Sequence, residues 1–162
     1  LMTATPISMH IIHKLSLDKL GIVMQFHVLA MFLPSLVTGN LIKKFGYSKI
    51  MYLGVIFYIF TILMSFFEPS YLNYFAGLVF LGIGWNFLFV SGTSLLVTTY
   101  KPEEKFKAQG FNDLVVFSLT AVSSLSAGIL ISITSWKIVN LLCIPFLILI
   151  IFSIINAQRK SK

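Results

Sequence analysis

Apolar residues run along this chain in long uninterrupted blocks. Formal charge is absent for 23 residues between Lys19 and Lys43, then for 18 (50 to 67), 32 (69 to 100), 23 (114 to 136) and 21 (138 to 158). A helix rising about 1.5 Å per residue needs roughly 18 to 20 such residues to cross a hydrocarbon layer of about 30 Å. Each run reaches that length, which predicts five membrane-spanning helices over 21–42, 50–67, 71–99, 114–135 and 138–157. The 32-residue run stays one long helix, because two spans need about 40 residues and a turn. Segments such as VIFYIFTILMSFF lack the period-two alternation of a transmembrane β-strand, and in lipid the helix satisfies every backbone group within one segment. The fold class is all-α, a polytopic membrane helix bundle. Residues 1–12, LMTATPISMHII, have no basic n-region and read as the end of a sixth, truncated span, so the chain reads as a fragment of a longer protein.

Composition agrees, with 57% hydrophobic and 10% charged residues. The loops then fall alternately on two sides. One side carries Lys43, Lys44, Lys49, Lys101, Lys105, Lys107, Arg159, Lys160 and Lys162; the other carries Lys14, Lys19 and Lys137. The positive-inside rule places the richer side, and the C-terminus, in the cytoplasm. Trp136 in the turn Ser135-Trp136-Lys137 is an interfacial anchor. The net charge of +7 is thus accounted for by topology and by attraction to anionic lipid, and no basic cluster interleaved with aromatics suggests nucleic acid. A single cysteine, Cys143, excludes an internal disulfide and a Cys-based metal site, and no metal is expected. The loop YKPEEKFKAQGFND reads as a short amphipathic helix opening at Pro102.

HExxH, GxSxG, Walker and dinucleotide-loop signatures are absent, and the predicted spans hold no acid or base other than histidine. An enzyme is not indicated, and no cofactor is called for; a proton gradient is the one energy source the residues raise. The candidate chemistry lies in polar groups inside the spans. Asn86, beside Trp85, offers two donors and an acceptor next to an aromatic face, suited to an uncharged solute or to an interhelical hydrogen bond. His27 shares a helical stripe with Met31, Pro34 and Thr38, while Gln25 points to nearly the opposite side; both are candidates for solute contact, and His27 for a proton relay. Gly77, Gly82 and Gly84 read as notches for close helix packing. Asp113, just ahead of the span at 114, reads as a helix cap or as a partner for a basic loop residue in one conformation.

The stretch GNLIKKFGYSK resembles the loop motif G-x-L-x-D-R-x-G-R-K/R of the major facilitator superfamily, with Gly39, Leu41, Lys44 and Gly46 in register. Lys43 replaces the acidic residue of that motif and Tyr47 a basic one. LGIGWNFLFVSGTSLLVTTYKPEEKFKAQGFNDLVVF is similar to the tenth and eleventh spans of bacterial permeases of that superfamily. The resemblance covers the whole chain and implies the C-terminal six-helix half of the fold, from the end of span seven to span twelve, with the N-terminal half of the same transporter as partner. It implies alternating access to a midplane site for a small solute in the bacterial inner membrane. It also implies a cavity bordered by the stub and the spans beginning at Gly21, Tyr71 and Leu114, with those at Ile50 and Ile138 outside, and a gate at the turn holding Gly39, Lys43, Lys44 and Gly46. The competing readings are a membrane-embedded enzyme or anchoring subunit, which would need buried acids or haem-ligating histidines, and a small homodimeric transporter.

Overall fold

A computed structural model describes residues 1–160; Lys162, counted above in the basic tail, lies outside the described residues, as does the side chain of Lys160. Five helical stretches are long and apolar enough to cross a membrane: Leu17–Phe45, Tyr47–Met64, Tyr71–Val97, Pro102–Ile133 and Trp136–Arg159. Ahead of them stands a short helical stub, α1 (Ala4–Pro6), whose turns widen to π-helical geometry over Ile7–Ile12.

Two of the five spans are broken, each next to a proline. The first comprises α2 (Leu17–Phe32) and α3 (Ser35–Phe45), separated at Leu33 and Pro34. Proline has no N–H, so the last turn of α2 loses carbonyl partners at that point. The fifth comprises α7 (Trp136–Leu141) and α8 (Ile144–Lys160), with Pro145 in the first turn of α8. Between them run α4 (Tyr47–Met64), α5 (Tyr71–Val97) and α6 (Lys105–Ile133). Serines close three helix starts: Ser16 accepts from the Lys19 amide, Ser70 from Asn73 and Ser135 from Ile138. Gly46, at φ 86° and ψ 159°, makes the one-residue turn from α3 into α4, a backbone geometry that favours glycine.

The loop expected over residues 100–113 is not a separate helix. A single 3₁₀ turn at Pro102–Glu104 leads directly into α6, which starts at Lys105 and runs unbroken through the span. Asp113 is therefore eight residues inside α6 and cannot cap it, which corrects that part of the expectation. Lysines and a phenylalanine in the first turns mask a helix that simply projects from the hydrocarbon.

α5 is the axis of the bundle, flanked by α2 on one side and α4 on the other. A Cβ at Gly84 would sit 2.9 Å from the Gly54 carbonyl oxygen, and one at Gly82 would sit 2.7 Å from the His27 carbonyl oxygen. At both points the backbones approach as only glycine permits. Phe57 fills the α4–α5 seam against Phe60, Phe80 and Phe87. At the end of the bundle near residues 8–13, Ser8 and the hydroxyl of the buried Tyr74 hydrogen-bond, and His13 Nδ1 lies 3.0 Å from the same hydroxyl. By contrast α6 packs through Ala127 and Ile131, against Ala4 and Val139, at its far end.

A polar seam and an aromatic flank as candidate functional site

The sequence candidates sort into two groups, one buried in the α2–α5 contact and one on the flank beside it. His27, 2% exposed, directs Nδ1–H at the Leu78 carbonyl oxygen, 2.7 Å away, and so fixes one tautomer of its ring. Further along the seam, the equally buried Asn86 spans the Pro34 break. Its Nδ2 donates to the Met31 carbonyl at 2.7 Å and to Ser35 Oγ at 2.6 Å, and its Oδ1 accepts from Thr38 Oγ1 at 2.8 Å. The Thr38 hydroxyl also lies 2.8 Å from the Pro34 carbonyl. The amide thus takes up the Met31 carbonyl at the break, where the i→i−4 ladder is interrupted between α2 and α3, and ties both halves of the broken span to α5. In this conformation His27 and Asn86 are used by the seam, and the stripe His27, Met31, Pro34 and Thr38 faces α5.

Trp85 and Gln25 stand elsewhere. Trp85 stacks on Phe89 with ring centroids 4.6 Å apart and planes 9° apart, and Phe32 of α2 meets it edge-on at 6.2 Å. Phe32 is exposed, as is Gln25, and their offset of seven returns them to one face of α2. Gln25, Phe32, Trp85 and Phe89 therefore share an open flank beside the seam. Phe32 and Phe89 were not singled out from sequence; the i, i+4 spacing of Trp85 and Phe89 was the available signal.

The three glycines are not alike. Gly82 and Gly84 meet backbone, whereas a Cβ at Gly77 would find Met64 Cβ at 3.5 Å, an ordinary contact, so Gly77 is no tight notch. Its carbonyl instead accepts from Thr61 Oγ1 at 3.1 Å. Gly54, the partner of Gly84, was missed because it lies alone in an apolar run. In the basic turn, Gly39, Lys43, Lys44 and Gly46 are all exposed, and the two lysines occupy the last turn of α3, where they complement its negative end. Asp113 is exposed and accepts from Asn112 Nδ2 at 3.2 Å; among the described residues it makes no hydrogen bond to Lys43 or Lys44. No group of His, Cys, Asp and Glu that could hold a metal occurs among the described residues.

Five apolar spans, the first three of them joined by buried polar contacts and close glycine approaches, define a multi-pass membrane protein. The sequence profile of the Major Facilitator Superfamily matches residues 1–161, and the chain belongs to that superfamily. It is 39% identical to the riboflavin transporter RfnT of Brucella anthropi over 154 residues, which are 95% of this chain and 38% of that protein. It is 31% identical over 144 residues to each of two uncharacterised MFS-type transporters of Bacillus subtilis, YdeG and YddS, covering 88% and 87% of this chain and 33% of each relative. The chain thus spans little more than a third of the relatives it matches. No solved structure matches it at a significant level.

Proposed function

We propose that the complete protein is a secondary transporter moving a small solute with a flat heteroaromatic ring by alternating access, and that this chain is its C-terminal half. In this reading the richer lysine side is cytoplasmic, the membrane is a bacterial inner membrane, and the N-terminal half of the same transporter closes over the open flank. The observation that carries the substrate class is the stacked Trp85–Phe89 pair with Phe32 edge-on beside it, all on the flank that the α2–α5 seam leaves open. Stacked aromatic side chains present a face to a planar ligand, and Gln25 on the same face supplies an amide for ring nitrogens or carbonyls. The relative named as a riboflavin transporter supports the same substrate class. His27 and Asn86 hold α2, α3 and α5 in register, so the ligand-facing role passes to Gln25 and Trp85. The turn at Lys43 and Lys44 fixes sidedness and borders the cytoplasmic gate.

Uptake by the complete protein in proteoliposomes tests this, using riboflavin beside aliphatic solutes of similar size, with and without a pH gradient. Riboflavin or another flat heteroaromatic should be carried, and Trp85→Ala should cut uptake about tenfold, the scale of one stacking contact. Equal carriage of aliphatic solutes, or a Trp85→Ala protein as active as the parent, would overturn the substrate assignment.

A further inference from the structure

At the basic end of the bundle an open groove of about 540 Å³ lies between the start of α4 and the end of α8, lined by Tyr47, Ser48, Leu95, Ile155, Gln158 and Arg159 among others. Among the described residues none that lines it is acidic. Arg159 is the cation among these lining residues, and Lys44 and Lys49, which flank Tyr47 and Ser48 in sequence, are exposed at the same end of the bundle. The first turn of α4 forms one wall, and no side chain among the described residues caps it. Further along the same two helices a second groove, about 250 Å³ and almost wholly apolar, is lined by Val55, Ile59, Ile148 and Ile151.

The two grooves share one side of each helix. On α8 the positions Ile148, Ile151, Ile155 and Arg159 follow at intervals of three or four, and on α4 the positions Ser48, Val55 and Ile59 follow at seven and four. From Ser48 to Ile59 a helix rises about 16 Å, close to half of a hydrocarbon layer of about 30 Å. The two grooves together thus run from a cationic, hydrogen-bonding end to an apolar one over about the thickness of one leaflet. A soluble anion would use the first groove and leave the second empty; a zwitterionic lipid would use the second and gain little from the first.

We infer that the α4–α8 groove is a binding site for one anionic phospholipid of the leaflet at the basic end, with its phosphate on Arg159 beside Ser48 and Tyr47 and an acyl chain along Val55, Ile59, Ile148 and Ile151. The guanidinium suits a phosphate because two parallel N–H groups meet two oxygens, and the fixed positive charge of neighbouring lysines adds to the attraction. The site is separate from the aromatic flank. It rests on the membrane reading of the chain and not on the solute or on transport.

The complete protein, stripped of lipid in detergent, is titrated with phosphatidylglycerol, phosphatidylcholine or inorganic phosphate while bound lipid is counted by native mass spectrometry and thermal unfolding is followed. Phosphatidylglycerol should be retained at lower concentration than phosphatidylcholine and should raise Tm; inorganic phosphate should do neither. Arg159→Gln should weaken phosphatidylglycerol about fivefold and leave phosphatidylcholine unchanged, the loss expected for one cation near a membrane surface. Ile148→Trp, which fills the apolar channel and leaves the cations, should also reduce retention. Protection by inorganic phosphate equal to that by phosphatidylglycerol, or an unchanged lipid preference in Arg159→Gln, would overturn the proposal. Uptake measured on the same preparations separates the two readings: lipid selectivity without transport counts against the transporter assignment alone, and transport without lipid selectivity against the lipid site alone.

Discussion

α5 and α6 are nearly equal in length, 27 and 29 residues, and both are apolar enough to span a bilayer, yet the bundle treats them oppositely. Of the most apolar stretch, 39% is buried in α5 and 11% in the span that contains α6. Hydropathy therefore marks which segments enter the membrane and says little about which of them grip each other. In lipid there is no hydrophobic drive to pair one apolar helix with another, so association follows small residues and interhelical hydrogen bonds. α5 carries Gly82, Gly84 and Asn86 within two turns, and both of its neighbours meet it there. The hydroxyls of α6 turn inward on their own helix: Thr120 donates to the Val116 carbonyl and Ser126 to Val122, each four residues back. Where α6 does pack, it does so through Ala127 and the neighbouring Ile131.

The largest effect should come from Gly84→Val. The added Cβ would lie 2.9 Å from the Gly54 carbonyl oxygen and 3.2 Å from Phe57 Cβ, and backbone cannot step aside as a side-chain tip can. Overpacking of this kind costs roughly 1–3 kcal/mol, and a branched side chain against backbone belongs at the upper end. Unfolding of the purified protein in detergent should show a Tm several degrees lower. A Gly84→Val protein as stable as the parent would mean that α4 and α5 are not in the close contact described.

Asn86→Leu comes next, because it deletes two donated bonds and one accepted bond at the Pro34 joint. Interhelical hydrogen bonds in membranes contribute about 0.6 kcal/mol on average and up to about 1.7, so a loss of roughly 1–2 kcal/mol is expected. Amide exchange across Ser35–Thr38 should quicken in the same protein, since α3 loses its anchor to α5. Protection unchanged there would show that Asn86 does not hold the joint. Replacement of His27 by Gln should have a smaller effect: an amide can still donate to the Leu78 carbonyl, so most of the contact survives. The pH profile of uptake should be unaltered, because the ring acts as a strut in the seam. A profile displaced by a full unit would assign His27 to proton movement instead.

The spans were legible in the sequence because the cost of burying charge in lipid writes itself directly into charge-free runs. Their ends were less so. α6 begins at Lys105 and α2 at Leu17, since a helix outlasts the hydrocarbon and its charged turns resemble loop. The break in the first span had its signal in Pro34, whereas the residue that repairs it, Asn86, lies 55 positions from Met31. No local pattern encodes such a partner. The same holds for Gln25 and Trp85: each could be placed on a face of its own helix, but that the two faces flank one open surface follows from how α2 crosses α5.

Gly77→Ala has the smallest expected effect and tests the comparison most finely. From sequence, Gly77, Gly82 and Gly84 all read as packing notches on one helix. In the structure only the latter two touch foreign backbone; a Cβ on Gly77 meets Met64 Cβ at 3.5 Å, a distance of ordinary contact. The Thr61 hydroxyl bonds the Gly77 carbonyl, which the substitution leaves in place. Alanine lowers the conformational cost of the helix by up to about 1 kcal/mol relative to glycine in water, so stability should stay level or rise by a few tenths. Gly82→Ala places its Cβ 2.7 Å from the His27 carbonyl oxygen and should lower Tm under the same conditions. Opposite signs for two such similar substitutions, five residues apart, would locate the grip of α5 on its backbone contacts; equal losses would return it to small-residue composition alone.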